Sequence, residues 1–121
     1  MTYKRHSNTP IHFFCDNSPY FITAAIYEKR PLLADEQIKT KLLNLIQKIF
    51  QENSWTLEHW VILDNHYHLL GNSSKGEYLP NMIKSIHAQS GFLISQKTNC
   101  EKPVWWNYWD YFIVHETRKI T

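Results

Sequence analysis

The apolar positions change period several times along the chain, and each change marks an element. Tyr20-Phe21-Ile22-Thr23-Ala24-Ala25-Ile26-Tyr27 is rich in strand formers and follows Pro19, which predicts a first strand. Glu28-Lys29-Arg30-Pro31 ends it. Asp35 suits a helix N-cap, and Ile38, Leu42, Leu45, Ile46 and Ile49 then fall on a single helical stripe. That stripe predicts a core-facing helix ending between Gln51 and Ser54. Trp55 to Leu63 reads as a second strand whose apolar residues do not alternate, so both its faces should be covered near its end. Asp64-Asn65 is turn chemistry, and a third strand follows from His66 to Asn72. Beyond a polar loop reaching Gly76, Pro80 fits the first turn of a second helix. Leu79, Ile83, Ile86 and Leu93 form its buried side, with Lys84, His87, Gln89 and Lys97 on a polar outer surface. Ser90-Gly91 weakens its middle and predicts a kink or early fraying. After Lys102-Pro103, the run from Val104 to Val114 is aromatic and β-branched, which predicts a last strand.

The order strand, helix, strand, strand, helix, strand predicts an α+β fold of the ferredoxin-like, split βαβ kind. That is an antiparallel sheet with both helices on one face and the first and third strands in its middle. Residues 1–19 read as a polar N-terminal arm, with Lys4, Arg5 and His6 together, and 20–121 as the folded domain.

Composition narrows the class. A chain of 121 residues that is 43% hydrophobic and 15% aromatic can bury one real core, so it is globular rather than disordered. A net charge of +2 and a pI near 8.5 suit a nucleic-acid partner without demanding one. Cys15 and Cys100 are the only cysteines and share no pairing motif, which favours a reduced, cytoplasmic setting. No apolar run is long enough for a membrane helix, and residues 1–10 lack the apolar core of a signal peptide.

The candidate chemistry lies in Leu63-Asp64-Asn65-His66-Tyr67-His68-Leu69-Leu70. On a strand, residues two apart share a face, so His66 and His68 stand side by side at roughly 6–7 Å between Cα atoms, with Tyr67 opposite. Two imidazoles so spaced can grip one divalent cation. The plain alternative is a pair of ordinary histidines on a solvated sheet face.

Three segments in this order resemble the IS200-like and REP-associated tyrosine transposases. They are Tyr20-Phe21-Ile22-Thr23 with Arg30-Pro31-Leu32; the run Trp60 to Leu70, with its strand, turn and His-hydrophobic-His; and Val104-Trp105 followed by Tyr108-Trp109-Asp110-Tyr111. The likeness spans residues 20 to 116. It implies a ferredoxin-like, usually dimeric nuclease that cuts and rejoins single-stranded or hairpin DNA. Such a nuclease uses Mg²⁺ or Mn²⁺ and a tyrosine nucleophile. By resemblance, His66 and His68 are the metal ligands, while Lys4, Arg5 and Arg30 are candidate DNA contacts.

The sequence departs from the family at the nucleophile. The resemblance puts that tyrosine on a helix after the last strand, with a polar third ligand one turn on, whereas this sequence stops at Thr121. Tyr108 and Tyr111 lie on the strand and are expected to be structural. The expectation is therefore a domain that lacks the tyrosine helix and keeps half a metal site. Two other classes compete. A non-catalytic nucleic-acid module such as an RRM would explain the aromatics, but no RNP1-like pattern is present. A zinc site using His66, His68 and Cys15 or Cys100 lacks any Cys-x-x-Cys.

Overall fold

Strand β1 (Pro19–Ile26) alternates strictly: Tyr20, Ile22, Ala24 and Ile26 are buried, while Phe21, Thr23 and Ala25 face the other way. Strand β3 (His66–Asn72) alternates in the same sense and pairs antiparallel with it. With β2 (Thr56–Ile62) and β4 (Trp105–Phe112), these strands form an antiparallel sheet in the order β2-β3-β1-β4. This is the ferredoxin-like arrangement that the element order predicts, with the first and third strands central. The computed structural model describes residues 14–112.

Two helices cover one face. Helix α1 (Glu36–Glu52) starts at Asp35, whose carboxylate accepts from the backbone N–H of Gln37 and Ile38. These bonds hold the Asp35 pKa below the usual carboxylate value. Its stripe of Ile38, Leu42, Ile46, Ile49 and Phe50 is buried, with Leu45 half-buried beside it. Helix α2 (Leu79–Thr98) buries Leu79, Met82, Ile83, Ile86, Ser90 and Ile94 and closes on left-handed Asn99. Among the described residues, no helix is long and apolar enough to cross a membrane.

Three local expectations are corrected. First, β2 is an edge strand, and Trp60, Val61 and Leu63 are exposed rather than covered on both sides. Second, α2 runs unbroken through Ser90-Gly91. The Ser90 hydroxyl donates to the Ile86 carbonyl and accepts from Trp105 Nε1, so the weak point is tied both to its own turn and to β4. Third, His87 faces inward. Its ring lies flat on Trp105, 4.2 Å between centroids and 5° between planes, and its Nε2 meets the Tyr67 hydroxyl at 2.8 Å. Burial pushes the His87 pKa down to about 3 and raises that of Tyr67, so the pair is neutral.

The chain ahead of β1 is pinned at Gly76. The Gly76 N–H donates to Asp16 Oδ1, and the Cys15 N–H donates to the hydroxyl of buried Tyr20. A Cβ on Gly76 would lie 2.6 Å from both the Cys15 nitrogen and the Tyr20 hydroxyl. Gly76→Ala should therefore push residues 15–18 off the sheet and cost about 2–3 kcal/mol, the upper range for overpacking. Denaturant titration checks this, and an unchanged midpoint would show that the segment yields freely.

Candidate metal centre on the open sheet face

The helices cover one face of the sheet, and the alternation of β3 sends His66 and His68 to the other. Thr23 is the cross-strand neighbour of His68, and Ala25 that of His66. Ala25 is small, so His66 overlooks a hollow of about 340 Å³ lined by Thr23, Ala25, Lys29, Asn65 and His66 itself. The two imidazoles are 4.9 Å apart between centroids and nearly perpendicular, at 84°.

Each ring is anchored through Nδ1. Thr23 Oγ1 lies 2.8 Å from Nδ1 of His68, and Asn65 Oδ1 lies 2.8 Å from Nδ1 of His66. The Asn65 amide is oriented by its own Nδ2, which donates to the Lys29 carbonyl. Asn65 Oδ1 is thus an acceptor, and His66 donates to it through Nδ1–H, so this bond leaves Nε2 uninvolved. Burial, and then the neighbouring His66, hold the His68 pKa below the ordinary histidine value, so His68 is neutral near pH 7. The Thr23 hydroxyl can accept from Nδ1–H of His68, which leaves its Nε2 free as well. Two imidazoles oriented in this way fit as two ligands of a divalent cation. Among the described residues, no group of three or more His, Cys, Asp or Glu side chains forms a fuller site.

The other candidates fall elsewhere. The Arg30 guanidinium donates to the carbonyls of Tyr27, Glu101 and Pro103, which ties the turn after β1 to the loop before β4. Lys4 and Arg5 lie outside the described residues. Both cysteines are free, and Cys15 Sγ accepts from the Ser18 hydroxyl. Tyr108, opposite Ala24, belongs to the helix side, where burial pushes its pKa up. Tyr111, opposite Phe21, is on the open face. Phe21 stacks on His68 at 5.5 Å and touches Tyr111 at 5.5 Å, so its ring stands between the two.

The sequence reading missed four residues: Phe21, Thr23, Lys29 and Asn65. Asn65 was visible only as turn chemistry. Lys29 sits in a short 3-10 turn (Tyr27–Lys29), where Glu28 and Lys29 have φ of 61° and 55°. Left-handed backbone costs a non-glycine residue roughly 1–2 kcal/mol, so this turn is held in place by its surroundings. Its carbonyl bond to Asn65 is part of that hold.

The model of the family described as transposase IS200 like matches residues 16–117. The chain belongs to the IS200-like transposase family. No curated protein matches the sequence. A solved REP-associated tyrosine transposase bound to a REP hairpin superposes with a TM-score of 0.69 at 18% identity, over 99% of this chain and 67% of that one. The crystal structure of a candidate transposase from Deinococcus radiodurans R1 gives a TM-score of 0.64 at 17% identity, over 98% of this chain and 92% of that one. At these identities the likeness is one of fold. The family match makes this chain an IS200-like transposase domain, and the paired histidines stand on the uncovered side of its sheet.

Proposed function

We propose that this transposase domain binds single-stranded or hairpin DNA across its open sheet face. His66 and His68 hold Mn²⁺ or Mg²⁺ there for strand cleavage and rejoining through a phosphotyrosine link. The observation that carries the reading is the pair of histidines, each anchored through Nδ1 beside the same open hollow. Metal dependence in the family and the hairpin-bound relative support it. Once bound, the cation would supply Lewis-acid polarisation of a phosphate oxygen. Two nitrogen ligands favour Mn²⁺ over Mg²⁺, which prefers oxygen.

The chain's own groups orient and exclude. Thr23 and Asn65 fix the two rings, and Phe21 walls the His68 side against water. Arg30 supports the turn that carries Lys29, and a direct phosphate contact would require it to leave its carbonyls. A free tyrosine has a pKa of about 10 and attacks only when placed in line and activated. Tyr108 faces the helices, and Tyr111 has Phe21 between itself and His68. In this reading both serve the fold, and the attacking hydroxyl belongs to neither. The same placement favours a second reading, in which this polypeptide by itself is a non-catalytic single-strand-binding module. Exposed Trp60, Val61 and Leu63 along the β2 edge would support a homodimer, which sedimentation can test.

The test is a labelled DNA hairpin with a single-stranded arm, titrated with protein and Mn²⁺ and then run on a denaturing gel. Binding should fall steeply with salt as phosphate contacts release counterions. No binding at low salt overturns the proposal. Binding without a covalent band supports the non-catalytic reading, and a band that vanishes in Tyr111→Phe would make Tyr111 the nucleophile.

A further inference from the structure

The hollow beside His66 does not end there. A second hollow, of about 390 Å³, adjoins it and is lined by Ala25, Ile26, Tyr27, Glu28, Lys29 and Trp106. Ala25 and Lys29 border both, so one trough runs from His66 past Lys29 to the Trp106 indole.

Trp106 owes its outward position to an irregularity in the sheet. Ala24 pairs with Tyr108 and Ile26 with Trp105, so Trp106 and Asn107 together oppose the single residue Ala25. Such a bulge re-aims side chains. Trp105 turns inward onto His87, while Trp106 turns outward against Tyr27, 5.2 Å between centroids, and stays 44% exposed.

Lys29 is the cation of the trough. Lys39, Lys48 and Lys97 each pair with a carboxylate. Among the described residues, no hydrogen bond or ion pair engages the Lys29 ammonium. Its backbone carbonyl accepts from the Asn65 amide that also orients His66, so one side chain sets the register between this cation and the imidazole. Glu28 borders only the Trp106 end. A phosphate is repelled there, whereas an uncharged base is not.

We infer that this trough seats the nucleotide next to the phosphate held at the histidines. Lys29 engages a backbone phosphate on the His66 side, and Trp106, backed by Tyr27, stacks on the neighbouring base. The inference rests on the DNA-binding reading above. It assigns Lys29 and Trp106 as substrate-positioning residues that place one nucleotide without holding the cation.

The experiment measures binding of a fluorescent hairpin with a single-stranded arm in Mn²⁺ across a salt series. A set of probes carries one abasic position moved along the arm. Trp106→Ala should weaken binding about tenfold, within the range for losing one base stack. Trp106→Phe should restore most of it. The cost of Trp106→Ala should vanish for one abasic position and persist for the others. Lys29→Ala should reduce the salt slope by about one phosphate contact, and Glu28→Gln should bind at least as tightly as the parent. Without DNA, Mn²⁺ affinity should be no weaker in Trp106→Ala or Lys29→Ala than in the parent. If the parent binds while Trp106→Ala and Lys29→Ala match it, this inference fails alone. If the alanine penalty is equal at every abasic position, the stacking assignment fails. If the parent binds no DNA, both readings fail.

Discussion

The variant carrying His66→Ala and His68→Ala should lose Mn²⁺ binding altogether while remaining folded. Both imidazoles are half-buried on the uncovered face, and each gives up one hydrogen bond, to Asn65 and to Thr23. At about 0.5–1.5 kcal/mol for each such bond, the double variant should be about 1–3 kcal/mol less stable. Titration calorimetry with Mn²⁺ and a denaturant series read the two effects separately. The anchors should show the same site more gently. Thr23→Val and Asn65→Ala leave both imidazoles present but unoriented, and removal of such supporting groups lowers metal affinity by about 10–100-fold. Undiminished Mn²⁺ affinity in the double variant would move the metal elsewhere. An affinity in Asn65→Ala equal to the parent's would show that His66 needs no anchor.

What the sequence made legible was what is local. Asp35 and the stripe from Ile38 to Ile49 lie within one helix, where spacing alone decides which side is buried. The shared face of His66 and His68 follows from two residues on one strand. What stayed hidden depends on partners distant in the chain. Thr23 reaches His68 only through the β1–β3 register, and Lys29 is tied to the site in part by Asn65, which donates to its carbonyl from across the sheet turn. His87 looked like an outer helical residue because it groups with polar Lys84, Gln89 and Lys97 on the helix. It turns inward because Trp105 and Tyr67 offer it a stacking surface and a hydroxyl. The apolar run of β2 suggested cover on both sides, but an edge strand has only one neighbour to supply it. Arg30 offered a positive charge to read as a phosphate contact, and only the fold shows that it also donates to the Tyr27 carbonyl of its own turn and to two carbonyls of the loop before β4.

Acid should unfold this domain through His87. In the fold its pKa is pushed down to about 3 by burial, against an ordinary value of 6.5, so between those values only the unfolded chain binds the proton. Stability is therefore complete above about pH 6.5 and drains as pH falls towards 3. A shift of that size sets a ceiling of about 4–5 kcal/mol, at about 1.4 kcal/mol per unit. His87 also borders a hollow of about 550 Å³ beside Gly91, Phe92 and Val104, through which water can reach part of the ring. Hydration there lowers the expected loss to about 2–4 kcal/mol. His87→Gln keeps an acceptor for the Tyr67 hydroxyl but cannot take the proton. Denaturant midpoints at pH 7 and pH 4 should fall much further for the parent than for His87→Gln. Carboxylates such as Asp35 titrate in both proteins and cancel in that comparison. Equal losses in the two would mean that the ring gains its proton without leaving the Trp105 stack, and that acid acts on this fold through its carboxylates instead.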